Sequence, residues 1–336
     1  QELLKIYRTI LIFWVGKMHK ICYGIIAFEK PEHIKRKIEA LYTKDDFFII
    51  HWNKNSSKQE FLELKEMFKD YPNIYIYSKY RVYWGSSSIL YACIYCMKMS
   101  LSYRYEHLFI LTQQDFPIRS IAYIKKYLHN YIHCSFIKCS LVSKNTPKFD
   151  KITKPYFYMN AIIRNPNVHL IDKITTYLSP FYLLEKIHHI KNYKKETHKY
   201  TVSYPESKFI IHDPFDLLEN STPYHNITYG PSICLAKKHV EYLIKNSASR
   251  KLARALKWHF APEEYFIQTI LKDSDLPSTE LLNKQLCITN YDMSKSLNIK
   301  TYKGYLNLIT SVDIIFLRKI EDLAVMDLLD EYRKNT

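Results

Sequence analysis

The stretch that decides the fold is ICYGIIAFEKPEHIKRKIEALYTKDDFFIIHW, residues 21–52. It begins with an unbroken apolar run at 21–28 and ends with a mostly apolar run at 46–52, and each run predicts a buried β-strand. Between them, Pro31 starts a segment whose apolar residues recur every three or four positions, which predicts an amphipathic helix. A strand, a helix and a second strand in this order are typical of a βαβ unit in a parallel sheet.

The same alternation continues along the chain. Helical spacing at 58–71 is followed by an apolar run at 73–77, a serine-capped helical pattern at 86–101 and a further apolar run at 106–112. The sequence therefore predicts an α/β protein in which helices flank a sheet of mostly parallel strands.

Polar residues come directly after the last of these strands. Gln114 and Asp115 follow the run at 106–112. In open α/β sheets, ligands bind beside the carboxyl ends of the strands. Gln114 and Asp115 are therefore predicted to line a ligand crevice.

The second half of the chain is less regular. Residues 143–227 are polar and poorly periodic, apart from a helical pattern around 167–178, and they suit an elaborated loop region over a site. Order returns with an apolar run at 227–236, which is followed by helical patterns at 237–246 and 248–258.

The charge and the composition exclude several classes of function. The net charge of +16, from 49 Lys and Arg against 33 Asp and Glu, favours anionic partners. The basic residues are dispersed and no nucleic-acid-binding signature is present, so nucleic acid is not expected as a partner. Only five glycines occur, and neither the Rossmann nor the P-loop motif can be written with them.

No pattern predicts a metal site. Asp273-Ser274-Asp275 is a D-x-D sequence, but it follows a helical pattern, whereas a metal-holding D-x-D is expected to close a hydrophobic strand. Cys93 and Cys96 form a lone C-x-x-C on a predicted helix, which favours core packing over zinc or redox chemistry. His188-His189 has no spaced partners. No metal ligand is therefore assigned.

The segment APEEYFIQTIL, residues 261–271, places Glu263 and Glu264 behind Pro262. In one interpretation the two carboxylates only favour the N-terminus of a helix, where free N–H groups attract negative charge. In the other, one of them is a general base held on a rigid element at the edge of a cleft. The residues alone leave both open.

The segment FLRKIE, residues 316–321, carries Arg318 and Lys319 beside a short apolar run. It is either a basic turn ahead of a C-terminal helix or a cation pair that faces a diphosphate. Such a pair would neutralise a leaving group where no metal does so.

Six segments in this order resemble one family, the core-2/I-branching β-1,6-N-acetylglucosaminyltransferases, with the related peptide O-xylosyltransferases and their bacterial relatives. The resemblance runs from about residue 20 to the C-terminus. The segments are CYGIIAFEKPEHIKRKIEALY with FFIIHWNKNS, VYWGSSSILYACIYCMKM, LFILTQQDFPIRS, YGPSICLAKKHVEYLI, APEEYFIQTIL and IIFLRKIEDLAVMDLLDEY.

The resemblance implies a GT-A-type nucleotide-sugar transferase fold, a mixed and mostly parallel sheet flanked by helices. It implies inverting transfer of a sugar, GlcNAc or xylose, from a UDP-sugar to an oligosaccharide, polysaccharide or protein hydroxyl, without metal or other cofactor. The family's Pro-Asp-Glu motif maps onto Pro262-Glu263-Glu264. Glu264 is then the catalytic base, and Glu263 supports it or caps the helix.

The resemblance also assigns the donor site. The nucleotide-facing positions map onto Ile26, Phe28, Asn53 and Trp84, where Asn53 replaces an aspartate that the family often has. The basic residue that contacts the UDP diphosphate maps onto Lys319, with Arg318 as its helper. A non-catalytic glycan-binding protein on the same fold is the alternative function.

The resemblance gives an expected domain plan. Residues 1–17 are an N-terminal extension or the remnant of a membrane anchor, and 18–336 form a single domain with a nucleotide-binding half (18–142) and an acceptor and catalytic half (143–336). Animal members pair a cysteine with the one at Cys96, but its partner position here is Ile49. This loss favours a bacterial enzyme at the cytoplasmic face of a membrane, with peripheral membrane contact, over one in the Golgi lumen.

Overall fold

The computed structural model describes residues 19–138, 140–141, 170–171, 174, 209–211, 222–224, 228–229, 233–256, 261–289 and 313–334. The predicted extension at 1–17 and the pair His188-His189 lie outside these ranges. So does most of the predicted loop region at 143–227, although Leu170, Ile171 and Ile174 are helical, within the helix predicted there. The division of the chain at residue 142 stays a prediction.

The first half alternates strands and helices as predicted. Its elements are β1 (Ile21–Ala27), α1 (Pro31–Leu41), β2 (Phe47–Trp52), α2 (Lys58–Met67), β3 (Ile74–Tyr77), α3 (Ser87–Ser100) and β4 (His107–Thr112). The predicted serine cap of α3 is Ser86, whose side chain accepts a hydrogen bond from the Ser88 N–H at 3.1 Å.

Shorter strands and further helices follow. They are β5 (Phe116–Pro117), α4 (Ile121–His129), β6 (Ser135–Ile137), β7 (Ser140–Leu141), β8 (Phe209–Ile211), β9 (Thr222–Tyr224), β10 (Thr228–Tyr229), β11 (Ile233–Ala236), α5 (Lys237–Lys245), α6 (Ser247–Ala255), α7 (Phe266–Lys272), β12 (Leu281–Leu282), β13 (Cys287–Thr289), β14 (Phe316–Arg318) and α8 (Leu323–Lys334). Two 3₁₀ turns, Pro262–Glu264 and Ser278–Glu280, flank α7.

The described strands form a central sheet in the order β12-β6-β11-β4-β1-β2-β3. The neighbours β1 and β2, β1 and β4, β2 and β3, and β6 and β12 run parallel, whereas β11 runs antiparallel to both β4 and β6. The predicted mixed, mostly parallel sheet flanked by helices is confirmed. The arrangement is consistent with a GT-A-type fold.

Strand β1 is buried along its whole length and serves both faces of the sheet. Cys22 and Ile26 pack into the core under α3, whereas Ile21, Tyr23 and Ile25 pack into the core under α1 and α4. Because both faces are covered by helices, every position of the strand can be apolar.

Gly24 lets α3 lie close to the sheet. A Cβ at this position would stand 3.1 Å from the Cβ of Cys96 and 3.1 Å from Cδ1 of Ile110, closer than side chains normally approach. Cys93 and Cys96 are both buried in this core, so their predicted packing role is confirmed. The Cys96 thiol lies 3.2 Å from the Tyr77 hydroxyl and 3.9 Å from the carbonyl of Ile49.

A second, three-stranded sheet brings the end of the chain to the end of β4. Its order is β13-β14-β5, with β14 parallel to β13 and antiparallel to β5. Leu317 of β14 shares a core with Val325, Met326 and Leu329 of α8, and the helix predicted after FLRKIE is confirmed. No helix among the described ranges is long and apolar enough to cross a membrane.

Three buried histidines lie in and beside the central sheet. The ring nitrogens of His19 and His107 are 3.1 Å apart, and Nε2 of His51 accepts a hydrogen bond from the Tyr80 N–H at 3.0 Å. Burial lowers the pKa of His19 to about 3 and the pKa values of His51 and His107 to about 4. The histidines are therefore neutral in the folded protein at pH 7.

We expect the free energy of unfolding to fall as the pH is lowered from about 6.5 to about 4. Within this window the unfolded chain binds protons that the folded chain does not, at a cost of up to roughly 1.4 kcal/mol per pH unit for each histidine. Denaturant unfolding measured across the window tests this. His51→Gln, which keeps an acceptor for the Tyr80 N–H, should flatten the profile. The exposed His133→Gln is the control, and an equal profile in all three proteins would contradict the prediction.

Candidate active site

The candidate site lies where β1, β2 and β4 end at the same edge of the sheet. The parallel pairing of β1 with both β2 and β4 brings their carboxyl ends together. A polar side chain follows each of β2 and β4 and binds the backbone of a neighbouring loop. The site is therefore built from loops that are tied to one another.

Gln113 ties the loop after β1 to the end of β4. Its side chain is buried, and its carboxamide oxygen accepts hydrogen bonds from the N–H groups of Phe28 at 2.8 Å and Glu29 at 3.0 Å. Its own N–H donates to the Ile26 carbonyl at 3.0 Å. Gln113 was not among the residues predicted from the sequence, which were Gln114 and Asp115. Its one sequence signal is that it is the first polar side chain beyond the end of the strand.

Two of the predicted donor-facing residues differ in exposure. The side chain of Ile26 is 5% exposed and packs in the core under α3. Phe28 is half-buried at the edge of the sheet, just beyond β1. The structure therefore places Phe28, but not the side chain of Ile26, at the surface of the candidate site.

Asn53 ties the loop after β2 to residues 80–84. Its side-chain oxygen accepts from the Val82 N–H at 2.8 Å, and its amide nitrogen donates to the Val82 carbonyl at 3.0 Å. The same oxygen accepts from the Asn55 N–H at 3.1 Å. Two residues beyond Val82, the Trp84 side chain is 80% exposed at the rim of the site.

Asp115 is the buried anion of the site. One carboxylate oxygen accepts from the N–H of Thr112 at 2.5 Å and from its hydroxyl at 3.1 Å. The other lies 3.5 Å from Nε of Arg318 and 3.8 Å from the thiol of Cys287. Asp115 therefore connects the end of β4 to the end of β14.

Lys37 is a second buried charge beneath the site. Its side chain is fully buried in α1, and its ammonium group donates to the carbonyl of Thr112. Burial lowers the pKa of Lys37 to about 7, against the opposing effect of Asp115. The sequence analysis missed Lys37 because a lysine in an amphipathic helix is usually on its exposed face.

Gln114 forms hydrogen bonds with the residues that follow β14. Its carbonyl accepts from the Ile320 N–H at 2.8 Å, and its side-chain amide donates to the Glu321 carboxylate. The intervening Lys319 is half-buried, and its ammonium makes no ion pair within the part of the chain that the structure describes. The structure thus brings the predicted residues Gln114, Asp115, Arg318 and Lys319 together.

The two glutamates lie in a 3₁₀ turn, Pro262–Glu264, and both are half-buried. Ala261 enters this turn in the left-handed conformation, with φ 47°, and its N–H donates to the carbonyl of Gly85 at 2.8 Å. The turn is thereby held against the loop that carries Trp84 and against the start of α3. Helix α7 begins only at Phe266.

Arg318 faces this acidic turn as well as Asp115. Burial disfavours the charged guanidinium, but Asp115, Cys287, Glu264 and Glu263 together leave the pKa of Arg318 above its ordinary value. The basic end of β14 and the acidic turn before α7 therefore interact electrostatically.

The D-x-D sequence lies away from these residues. Asp273 caps the C-terminus of α7 and Asp275 follows in the next turn, both exposed, so the predicted position after a helix is confirmed. Within the described ranges, no group of three or more His, Cys, Asp and Glu side chains is arranged to hold a metal ion.

Comparison with known proteins shows similarity to one family of enzymes. Residues 21–170 match the family model described as Core-2/I-Branching enzyme. Over these residues the chain is similar to the core-2/I-branching enzymes. The matched residues include the loops around Asn53, Trp84 and Asp115, but they end before the turn that carries Glu264, so the predicted role of Glu264 stays a prediction.

Individual relatives are distant. The chain is 22% identical over 288 residues to a human protein named beta-1,3-galactosyl-O-glycosyl-glycoprotein beta-1,6-N-acetylglucosaminyltransferase 3, an alignment that covers 85% of this chain and 54% of that protein. It is 21% identical over 276 residues to the mouse protein of that name, covering 80% and 51%. A zebrafish (Danio rerio) protein, number 4 of the same name, is 25% identical over 117 residues, covering 34% and 27%. The chain spans about half the length of the human and mouse proteins.

We expect Asn53→Asp to lower the free energy of unfolding by roughly 1–3 kcal/mol, because a carboxylate cannot donate to the Val82 carbonyl and leaves it without its partner. Denaturant unfolding measures the change. Asn55→Asp, the same change at an exposed residue two positions away, is the matched control. Equal stability of the two variants would show that the Asn53 bridge does not hold this loop.

Proposed function

We propose that the protein is an inverting glycosyltransferase that moves a sugar from a UDP-sugar to a hydroxyl group of a glycan or a protein. The observation that carries the proposal is the polar site at the carboxyl ends of the parallel strands, where Asp115 holds Arg318 at 3.5 Å and the carboxylates of the Glu263-Glu264 turn act electrostatically on the same guanidinium. The names of the matched relatives support GlcNAc as the sugar, and xylose is the second candidate.

Glu264 is proposed as the general base. Its carboxylate removes the proton of the acceptor hydroxyl while that oxygen attacks the anomeric carbon of the donor sugar. The bond between the anomeric carbon and the diphosphate oxygen breaks, and UDP leaves with the electron pair. Attack from the face opposite the leaving group inverts the anomeric configuration. The fixed turn that ends in Glu264 supplies the rigid placement that a base requires.

Arg318 and Lys319 are proposed to stabilise the departing diphosphate. Negative charge grows on the diphosphate as the bond breaks, so cations already in place at that position favour the transition state. Asp115 orients Arg318, whereas Lys319 has no described ion-pair partner and is available to the phosphate. On this proposal the reaction needs no metal ion or other cofactor.

The other predicted residues complete the proposed donor site. Phe28 and Trp84 offer aromatic surface at the rim, and Asn53 fixes the loop that carries Trp84. We also propose that the nucleotide contacts Asn53, Gln114 and Asp115, and the main chain at Ile26, whose side chain packs in the core under α3. A location at a membrane, on the cytoplasmic face in a bacterium, is proposed as well. The alternative function, glycan binding without turnover, predicts no release of UDP from any member of a panel of UDP-sugars.

We expect Glu264→Gln to lower the transfer rate by roughly 10²-fold or more and to leave UDP affinity unchanged, because the amide keeps the shape of the side chain but cannot accept the proton. Release of UDP in the presence of acceptor and calorimetric binding of UDP measure the two effects. Glu263→Gln is the matched control and should remain active. If Glu263→Gln is inactive and Glu264→Gln is not, the base is Glu263.

Lys319→Ala should weaken UDP binding by roughly tenfold or more and slow transfer as well, because a charge-assisted contact with phosphate is lost. Uridine, which has no phosphate, should bind the variant and the wild type alike. Loss of uridine binding too would indicate a damaged pocket. Unchanged UDP affinity would assign the phosphate contact elsewhere, for instance to Lys295, Lys300 or Lys303, which lie outside the described residues.

Activity should survive EDTA, because the proposed charge compensation comes from Arg318 and Lys319. The measurement is UDP release before and after chelation, with Mn²⁺ added back. If EDTA abolishes turnover and Mn²⁺ restores it, the reaction requires a metal, and variants of Asp273 and Asp275 would test whether they hold it.

A further inference from the structure

A groove lies between α3, α5, α6 and the start of α7, and its lining shares no residue with the candidate active site. Its volume is about 750 Å³, within the range of ligand-binding pockets. Its floor is apolar and its rim is basic. The apolar residues are Tyr91, Ile94, Met97, Leu243 and Phe266, and the basic ones are Lys98, Arg250 and Arg254.

The rim cations have no counter-charge among the described residues. Lys98, Arg250 and Arg254 are exposed, and none of them forms an ion pair with another residue in the described ranges. Arg250 donates one hydrogen bond, at 3.1 Å, to the carbonyl of Lys245. Ser249 lines the same groove and is buried, and no described group hydrogen bonds its hydroxyl. The groove therefore combines apolar surface with exposed cations, and a buried hydroxyl without a described hydrogen-bond partner lies in its wall.

The two helices beside the groove carry a strong excess of positive charge. Residues 237–256, KKHVEYLIKNSASRKLARAL, contain six Lys and Arg but one acidic residue, Glu241. Lys237 and Lys238 are engaged elsewhere, with the Tyr103 carbonyl at 2.6 Å and with Glu280. Of the other four, Arg250 and Arg254 line the groove, Lys251 is exposed beside Arg250, and Lys245 lies 3.6 Å from the carboxylate of Glu241.

We propose that this groove binds an anionic phospholipid at a membrane surface, with an acyl chain on the apolar floor and the phosphate between Lys98, Arg250 and Arg254. An apolar body with one anionic head matches an apolar floor with a cationic rim, and basic helix faces bind anionic bilayers through many weak attractions. The inference does not depend on the proposed glycosyl transfer. Because Phe266 lies two residues after Glu264, such docking would hold the turn that carries Glu264 near the membrane.

Vesicle flotation tests the proposal in the absence of any sugar nucleotide. The full chain is mixed with vesicles of phosphatidylcholine containing phosphatidylglycerol, or of phosphatidylcholine alone with the same acyl chains. Binding is expected to the first and not to the second. Raising the ionic strength from about 0.1 M to about 1 M, which shortens the Debye length from roughly 10 Å to roughly 3 Å, should weaken it. Equal binding to both vesicles would overturn the proposal.

Three variants test whether vesicle binding depends on this groove or only on the general positive charge of the protein. Arg250→Glu with Arg254→Glu should lower vesicle affinity roughly tenfold or more. Lys44→Glu with Lys58→Glu, the same charge change at exposed residues beside α1 and in α2, is the matched control and should bind like wild type. Ile94→Ser, at a half-buried floor position, should also weaken binding because acyl-chain contact is lost. If the first variant does not fold, Arg250→Gln with Arg254→Gln replaces it.

Three outcomes would overturn the proposal. If the control variant loses as much affinity as the rim variant, the attraction is unspecific. If Ile94→Ser binds as wild type while the rim variant does not, the membrane contact is electrostatic and the groove holds no acyl chain. If the wild type binds dextran sulfate but no vesicle, and the rim variant loses that binding, the surface serves a soluble polyanion instead of a lipid.

Discussion

The buried carboxylate of Asp115 is the interaction on which the candidate site depends. It accepts hydrogen bonds from Thr112 at the end of β4 and contacts Arg318 at the end of β14, two strands that belong to different sheets. A buried charge is stable only with hydrogen bonds and a counter-charge, and this position supplies both. Lys37, beneath the same turn, adds a buried amine whose charged form is disfavoured by burial and favoured by Asp115, so loss of Asp115 would remove the carboxylate that acts on both basic groups.

At the same edge of the sheet, two side-chain amides form hydrogen bonds with the backbone of neighbouring loops. Gln113 binds two successive N–H groups after β1, and Asn53 exchanges two hydrogen bonds with Val82 much as a neighbouring strand would. Each tie fixes a loop that would otherwise leave buried polar groups without partners. The aromatic and charged groups of the rim are therefore held in place before any ligand arrives, which is the condition for efficient charge stabilisation.

Local patterns predicted the elements well and the contacts between distant segments poorly. Strands β1 to β4 and their helices follow from apolar runs and helical spacing, and α2 differs by ending at Met67 instead of Tyr71, shortly before Pro72, which cannot continue a helix. The antiparallel insertion of β11 between β4 and β6 leaves no local signal, because the pairing joins segments about a hundred residues apart. For the same reason Gln113 and Lys37 were missed. Their roles are set by partners that lie in other parts of the sequence.

The net charge of +16 does not distinguish buried cations from exposed ones, but the structure does. Arg318 and Lys37 are directed inward, one paired with Asp115 and the other buried against β4. Lys98, Arg250 and Arg254 face solvent around an apolar groove, without described ion-pair partners. Cations of the first kind have already lost most of their hydration and suit a single buried anionic group, whereas those of the second keep their hydration and suit an extended anionic surface. The basic residues of this chain therefore fall into two groups, those suited to a single buried anionic group and those suited to an extended anionic surface. The burial of each side chain determines its group.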